Sequence, residues 1–136
     1  MINSIAHVCT ASKDLSATEN FYINCLGFKK KFDFLRANKC VGFYLEVTDK
    51  SYIEIFLQTD LLITDKAPIR HLCLETSNID AVITRLRECG YEATDKKLGA
   101  DKSWQTWTKD PDGVRIEFHQ YTEESSQNTG VNCILG

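Results

Sequence analysis

The sequence predicts an α+β fold made of two copies of one βαβββ module, and two observations carry that prediction. Histidine and glutamate alternate along the chain as His7, Glu54, His71 and Glu117, with 64 residues between the histidines and 63 between the glutamates. Their surroundings repeat as well. Ile5-Ala6-His7-Val8-Cys9 resembles Ile69-Arg70-His71-Leu72-Cys73, and Tyr52-Ile53-Glu54-Ile55-Phe56 resembles Arg115-Ile116-Glu117-Phe118-His119. Cys25, Gly27 and Phe28 recur as Cys89, Gly90 and Tyr91. Ordered agreement of this kind across two halves indicates a duplicated unit.

Each element of the first module, about residues 4–58, has its own signal. Alternation over residues 4–11 predicts a strand, with Ile5, His7 and Cys9 on one face and Ala6, Val8 and Thr10 on the other. Ser16, with Glu19 three residues on, is the expected cap of a helix that places Phe21, Tyr22, Cys25 and Leu26 inward and stops at Gly27. Three strands are expected next, over residues 29–35, 40–47 and 51–58, the last two joined by a turn at Thr48-Asp49-Lys50. A connector, residues 59–68, ends in Ala67-Pro68.

The second module, about residues 69–121, repeats the order. His71 falls on a strand, Asn78 caps a helix reaching Cys89, and strands are expected over 92–95, 103–108 and 114–121. Asp110-Pro111-Asp112-Gly113 has Pro second and Gly fourth, as a type I turn favours, so its carboxylates are read as structural. The two modules are expected to form one domain, residues 1–121, followed by a flexible tail, residues 122–136, whose polar run lacks an apolar face.

Composition narrows the function. The net charge of −3 and the absence of a basic run longer than Lys29-Lys30-Lys31 argue against nucleic acid and for a small-molecule substrate. No apolar stretch approaches the roughly 20 residues of a membrane span, and no signal segment opens the chain, so a soluble, cytoplasmic protein is expected. Six cysteines without a C-x-x-C pair mostly fall within apolar patterns, and are read as small buried hydrophobes.

The repeated histidines and glutamates are the candidate metal ligands. On the strand carrying Glu54, Ile53, Ile55 and Leu57 point one way and Tyr52, Glu54, Phe56 and Gln58 the other. Ile116 and Phe118 likewise oppose Arg115, Glu117, His119 and Tyr121. The aliphatic face can pack on a helix, leaving the carboxylate face to line a half-wet cleft. A lone glutamate there is ordinarily just solvated. Two at equivalent places, each with an equivalent histidine, suit one divalent ion such as Ni²⁺, Co²⁺, Zn²⁺ or Mn²⁺. A cleft that binds organic molecules without metal is the alternative.

These residues, with the Phe21-Tyr22 to Leu26-Gly27-Phe28 helix end and Asp110-Pro111-Asp112-Gly113 before Arg115-Ile116-Glu117, resemble the vicinal oxygen chelate superfamily of glyoxalases, bleomycin-resistance proteins and dioxygenases over about residues 4–121. The resemblance implies curled mixed sheets around a metal-bearing cleft, commonly in a homodimer. His7, Glu54, His71 and Glu117 match all four ligands of short bacterial glyoxalase I, a lactoylglutathione lyase. That match implies proton abstraction next to a carbonyl, with Glu117 as base and Glu54 as second candidate. The chain departs from that family where its glutathione-binding arginine and asparagine would stand, at Ala11 and Gln58. A fosfomycin-type thiol transferase, an extradiol dioxygenase and a non-catalytic drug- or aromatic-binding protein remain as alternatives. Of the neighbours, Cys73 and Glu75 share the His71 face, and His119 is read as a supporting or substrate contact. Trp104 and Trp107 point to opposite faces, and Arg115 is read as solvated or paired with an anionic substrate.

Overall fold

In the computed structural model, which describes residues 1–64 and 66–136, each repeat becomes one four-stranded mixed sheet. The chain divides into two units, Met1–Thr64 and Asp65–Gly136. Asp65, in the expected connector, lies outside the described residues.

In the first unit the order is β1 (His7–Ser12), α1 (Leu15–Glu19), a π-helical continuation (Asn20–Cys25), β2 (Lys29–Arg36), β3 (Lys39–Thr48) and β4 (Ser51–Leu57). The strands lie side by side as β1-β4-β3-β2, with β1 parallel to β4 and the other pairs antiparallel. Register shifts within β2–β3 and near the β3–β4 turn mark bulges, which bend and twist a sheet. The helix differs from expectation at its start. Asp14, not Ser16, is the N-cap, because its Oδ1 accepts from the amides of both Ser16 and Ala17 at 3.0 and 3.2 Å. A carboxylate at this end also meets the positive end of the helix dipole. Phe21, Tyr22 and Cys25 of the helix are buried, as are Phe43, Leu45, Ile53 and Ile55 on one face of the sheet. Burying each large side chain contributes about 1.5–3 kcal/mol, which commits the alternate face, with Tyr52, Glu54 and Phe56, to the outside of this core.

The second unit runs β5 (Leu72–Glu75), α2 (Ile79–Glu88), β6 (Lys97–Leu98), β7 (Trp104–Lys109), β8 (Arg115–Gln120) and α3 (Ser126–Thr129). Its sheet order, β5-β8-β7-β6, matches the first, with β5 parallel to β8. Asn78 caps α2 as expected, accepting from the Ala81 amide at 3.0 Å, while Gln120 of β8 accepts from Ile79 at 2.8 Å and ties helix to sheet. Ile79, Ile83 and Leu86 meet a face carrying Ile116 and Phe118. The turn at Asp110 forms with Gly113 N–H on the Asp110 carbonyl, and the Asp110 carboxylate accepts from Asp112 and Val114, confirming its structural part.

One expectation for this unit fails, and the segment expected as a tail over residues 122–136 holds a short helix, Ser126–Thr129, near its start. The strand expected over 92–95 is replaced by the two-residue β6 further on, because Thr94 meets β7 through its side chain as well as its backbone, to Thr106 and Trp107. After β8 the chain folds back. Ser125 is fully buried and bonds to the Lys102 carbonyl and to Ser103 Oγ, and Ser126 N–H bonds to the Asp101 carbonyl. Polar bonds rather than an apolar face dock this segment, so hydrophobic periodicity gives no sign of it. No described helix is long and apolar enough to cross a membrane.

Candidate metal centre

The strand register decides which side chains share a face with each glutamate. In the first unit β1 sets Cys9 opposite Glu54 and β3 sets Tyr44 opposite it on the other side. His7, at the start of β1, brings Nε2 to 3.8 Å from Glu54 Oε1, and Tyr44 Oη stands 3.3 Å from His7 Nδ1. The tyrosine thereby orients the ring through the nitrogen that faces away from the carboxylate. Both members of the pair are reachable from solvent, the His7 side chain being 41% exposed and Glu54 19%.

The rest of this face is aromatic. Phe32 stacks on Tyr44 at 4.8 Å, Tyr44 on Tyr52 at 5.2 Å, and Phe34 on Phe56 at 4.5 Å. Such offset stacks contribute about 0.5–1.5 kcal/mol each beyond their buried area. They also present a flat apolar platform beside His7 and Glu54.

The second unit repeats the pair with tighter geometry. His71, just before β5, brings Nε2 to 3.1 Å from Glu117 Oε2, and its ring meets Trp107, the residue opposite Glu117 on β7, edge to face at 4.9 Å. Tyr44 and Trp107 thus set an aromatic ring against the histidine at equivalent places. The expected half-wet face does not hold here: Glu117 is 7% exposed and His119 8%. His119 Nε2 lies 2.9 Å from Glu117 Oε1 and its Nδ1 lies 3.9 Å from Asp101 Oδ2, yet neither ring nitrogen makes a well-aligned hydrogen bond. Cys73 completes the group, its Sγ, a Glu117 oxygen and a His119 nitrogen all lying within 4.8 Å of one another.

The cysteines correct the sequence reading. None of the six is in a disulfide, and only Cys25 is buried, whereas Cys9, Cys40, Cys73 and Cys133 have exposed surface. Cys9 and Cys73 follow their histidines onto the glutamate face instead of joining the core. Partial burial of the sulfur and the adjoining Glu54 carboxylate push the Cys9 thiol up to about 11. Burial and the Glu117 carboxylate push Cys73 up to about 12.

Arg115 is exposed, as expected, and its guanidinium lies 4.9 Å above the Trp107 ring. Both residues line a groove of about 640 Å³ that also takes in Arg87, Tyr91 and Lys109. Trp104 lies on the other face of β7, with the Lys96 ammonium 5.1 Å from its ring. Glu75 is exposed at the end of β5.

All four residues singled out from the sequence are thus on the faces expected, and the structure joins them as two pairs, His7 with Glu54 and His71 with Glu117. Imidazole and carboxylate within 4 Å of one another, and an orphaned buried imidazole at His119, are a donor set that fits a divalent cation. Asp101 was not foreseen, since it lies in a loop and reaches His119 only through the fold. Tyr44 could have been found by alternation along β3, but its partner follows from register, which periodicity does not supply.

The sequence profile of the Glyoxalase/Bleomycin resistance protein/Dioxygenase superfamily matches residues 4–118. No curated protein matches the chain. Among solved structures, a glyoxalase family protein from Enterococcus faecalis is similar at 29% identity and a TM-score of 0.74, covering 85% of this chain and 96% of its own. A lactoylglutathione lyase from Agrobacterium tumefaciens shares the fold at 18% identity and TM-score 0.68, over 88% of this chain and 94% of its own. TnmS3, an antibiotic binding protein from Streptomyces sp. CB03234, does so at 20% identity and TM-score 0.69, over 89% and 98%.

Proposed function

We propose, from the premise that this chain belongs to the Glyoxalase/Bleomycin resistance protein/Dioxygenase superfamily, that it is a metal-dependent lyase or isomerase of glyoxalase I type. It moves a proton next to a carbonyl of a small oxygenated substrate, a glutathione hemithioacetal being the first to try. The observation that supports this reading is the repetition of one His–Glu pair at equivalent strand positions, backed each time by an aromatic ring.

In this reading the His7–Glu54 pair and the His71–Glu117 pair supply the metal ligands, the cation being Ni²⁺, Co²⁺, Zn²⁺ or Mn²⁺. A bound cation supplies Lewis-acid polarisation of the substrate oxygens and lowers the cost of negative charge developing there. Glu117 is the base. Its Oε2 lies 3.1 Å from His71 and its Oε1 2.9 Å from His119, so an imidazole stands beside each oxygen when the carboxylate takes up a proton. Burial keeps water from competing for the proton it carries. Glu54, more open and with one imidazole, is the second candidate base.

Elemental analysis of the chain and of a His7→Ala/Glu117→Ala variant, followed by a hemithioacetal isomerase assay, tests the reading. One equivalent of transition metal with turnover in the parent and neither in the variant is expected. No metal uptake from added Ni²⁺, Co²⁺, Zn²⁺ or Mn²⁺ would overturn it. The chain is taken to work as a homodimer in the cytoplasm, the first checked by light scattering at twice the chain mass.

The aromatic platform of Phe32, Phe34, Tyr44, Tyr52 and Phe56 favours a second reading, capture of a planar organic molecule without turnover. Tight binding of an aromatic drug, unchanged by chelator in equilibrium dialysis, would select it over the isomerase.

A further inference from the structure

Glu117 is flanked by more donors than the His–Glu repeat requires. Cys73, on β5, is set directly opposite it by the strand register, and His119, two residues on, lies on the same face of β8. Sγ, carboxylate oxygen and ring nitrogen lie within 4.8 Å of one another. Three such groups converge on a space that a single cation can fill after small rotations, given bonds of roughly 2.0–2.3 Å to nitrogen, oxygen and sulfur.

His119 supplies an independent pointer. Its side chain is nine-tenths buried, and both ring nitrogens lack a hydrogen-bond partner. Leaving an imidazole in this condition is costly, and native structures retain such a group where something else completes it. One nitrogen lies 2.9 Å from Glu117 Oε1 and the other 3.9 Å from the Asp101 carboxylate, and neither makes a hydrogen bond there. A ligating histidine is usually backed by a carboxylate beside its second nitrogen, and Asp101 stands near that place. Asp101 is itself held in place. It accepts from Ser103 N–H at 3.1 Å and from Gln127 Nε2 at 2.7 Å, and although burial works against its charge, these bonds keep its carboxyl below the usual range.

The first unit lacks this arrangement. Its equivalent of Cys73 is Cys9, but the residue two beyond Glu54 is Phe56, stacked on Phe34. The extra donors belong to one half of the duplication alone.

We infer that the second unit carries a cation site of its own, formed by Cys73 Sγ, the Glu117 carboxylate and the His119 imidazole with Asp101 behind it, and selective for a thiophilic ion such as Zn²⁺ or Co²⁺. His71, 3.1 Å from the other Glu117 oxygen, is available as a fourth donor. The thiolate and one carboxylate balance the two charges of the ion, and the thiol proton is released to solvent as the bond to sulfur forms. The site shares Glu117, and His71 as a fourth donor, with the proposed isomerase but stands without that reading, since it needs neither His7 nor Glu54.

Titration of the metal-stripped full chain with Co²⁺, read by absorption, tests this, because a thiolate ligand gives a near-ultraviolet charge-transfer band that imidazole and carboxylate do not. One equivalent of Co²⁺ should produce the band in the parent and in His7→Ala/Glu54→Ala. Cys73→Ser should abolish it and Cys9→Ser should leave it intact, with circular dichroism showing both folded. His119→Phe should weaken Co²⁺ binding by about tenfold or more. Co²⁺ uptake without the band, a band that survives Cys73→Ser, or its loss in His7→Ala/Glu54→Ala would each overturn the site. Turnover distinguishes the two readings: an active parent with no thiolate band keeps the isomerase and rejects this site, and an inactive parent with the band does the reverse.

Discussion

The two units share strand order, His–Glu pair and backing aromatic, and part company two residues beyond the glutamate. Phe56 in the first stacks on Phe34 and extends an aromatic platform, whereas His119 in the second sets a buried imidazole against the carboxylate. The residues across the sheet change in step. Phe56 faces Gly42 on β3, and His119 faces Gln105 on β7. One scaffold has thus been given two surfaces, an open apolar one around Glu54 and an enclosed polar one around Glu117. The lesson is that a duplication can keep a His–Glu pair and still change its surroundings, apolar rings on one side and polar groups on the other.

The most demanding test of that division compares the glutamates. Glu117→Gln keeps the shape of the side chain but removes the oxygen that faces His71 or His119, and should lower isomerase turnover by roughly 10²–10⁴. Glu54→Gln should cost less, because its carboxylate has one imidazole partner, at 3.8 Å. Equal losses in the steady-state rates would show that the two halves are not specialised.

The equivalent cysteines test the same comparison through pH. Folding lifts Cys9 from the ordinary value of 9.0 to about 11 and Cys73 to about 12. The folded chain therefore retains protons that the unfolded chain releases above pH 9. Stability from these thiols is complete below that pH and is lost as pH rises toward 11 and 12. In chelated protein at pH 8 only about one Cys9 in a thousand is thiolate, and Cys73 fewer. Site-resolved alkylation by iodoacetamide should rise about tenfold per pH unit at both, with Cys73 the slower. Fast modification of Cys73 at pH 8 would mean that Glu117 does not shield it as the geometry requires.

Much of this was legible in the sequence because duplication writes the same physical constraint twice. His7 and His71 could each be an ordinary residue, and only the near-equal spacings of the repeat, 64 residues from His7 to His71 and 63 from Glu54 to Glu117, mark them. Alternation then placed the glutamates opposite the aliphatic core face, as found. What stayed hidden depends on contacts between distant segments. Asp14 displaced Ser16 as cap because a cap is chosen by backbone geometry that two candidate oxygens satisfy equally well on paper. The enclosure of His119 comes partly from loop residue Asp101, held by Gln127 in a segment whose polar run resembles an unstructured tail. The cysteines misled because apolar neighbours were read as core, although alternation already set Cys9 beside His7 and Cys73 beside His71.

Gly42 gives the next largest expected effect and concerns stability alone. Phe34 and Phe56 both pair with it across the sheet, and their rings meet at 4.5 Å where it offers no side chain. A Cβ there would run into the Ile55 carbonyl, part of the backbone, and approach Phe56 Cδ1 at 3.0 Å. Gly42→Ala should therefore cost about 1–3 kcal/mol in denaturant unfolding. Gly99→Ala in the second unit meets the ends of the Gln105 and Asp101 side chains, of which Gln105 can move, and should cost less. A neutral Gly42→Ala would indicate that the aromatic platform yields easily and does not define the first unit.

The smallest effect separates the units most directly, because stability and metal affinity should move in opposite directions. His119→Phe gives the second unit the residue of the first. Removing a ring with two unpartnered buried nitrogens should raise the stability of chelated protein by about 1 kcal/mol, while Co²⁺ binding weakens. Phe56→His makes the reverse exchange. It gives up the Phe34 stack, at about 0.5–1.5 kcal/mol, and should gain no cation site, since the position 63 residues before Asp101 is Asn38, an uncharged turn residue. Thermal melts with and without chelator, alongside the Co²⁺ titration, measure both. If Phe56→His acquired a thiolate band through Cys9, a single side chain would be enough to convert one surface into the other. The carboxylate behind the imidazole would then be dispensable, and the specialisation of the second unit would rest on His119 alone.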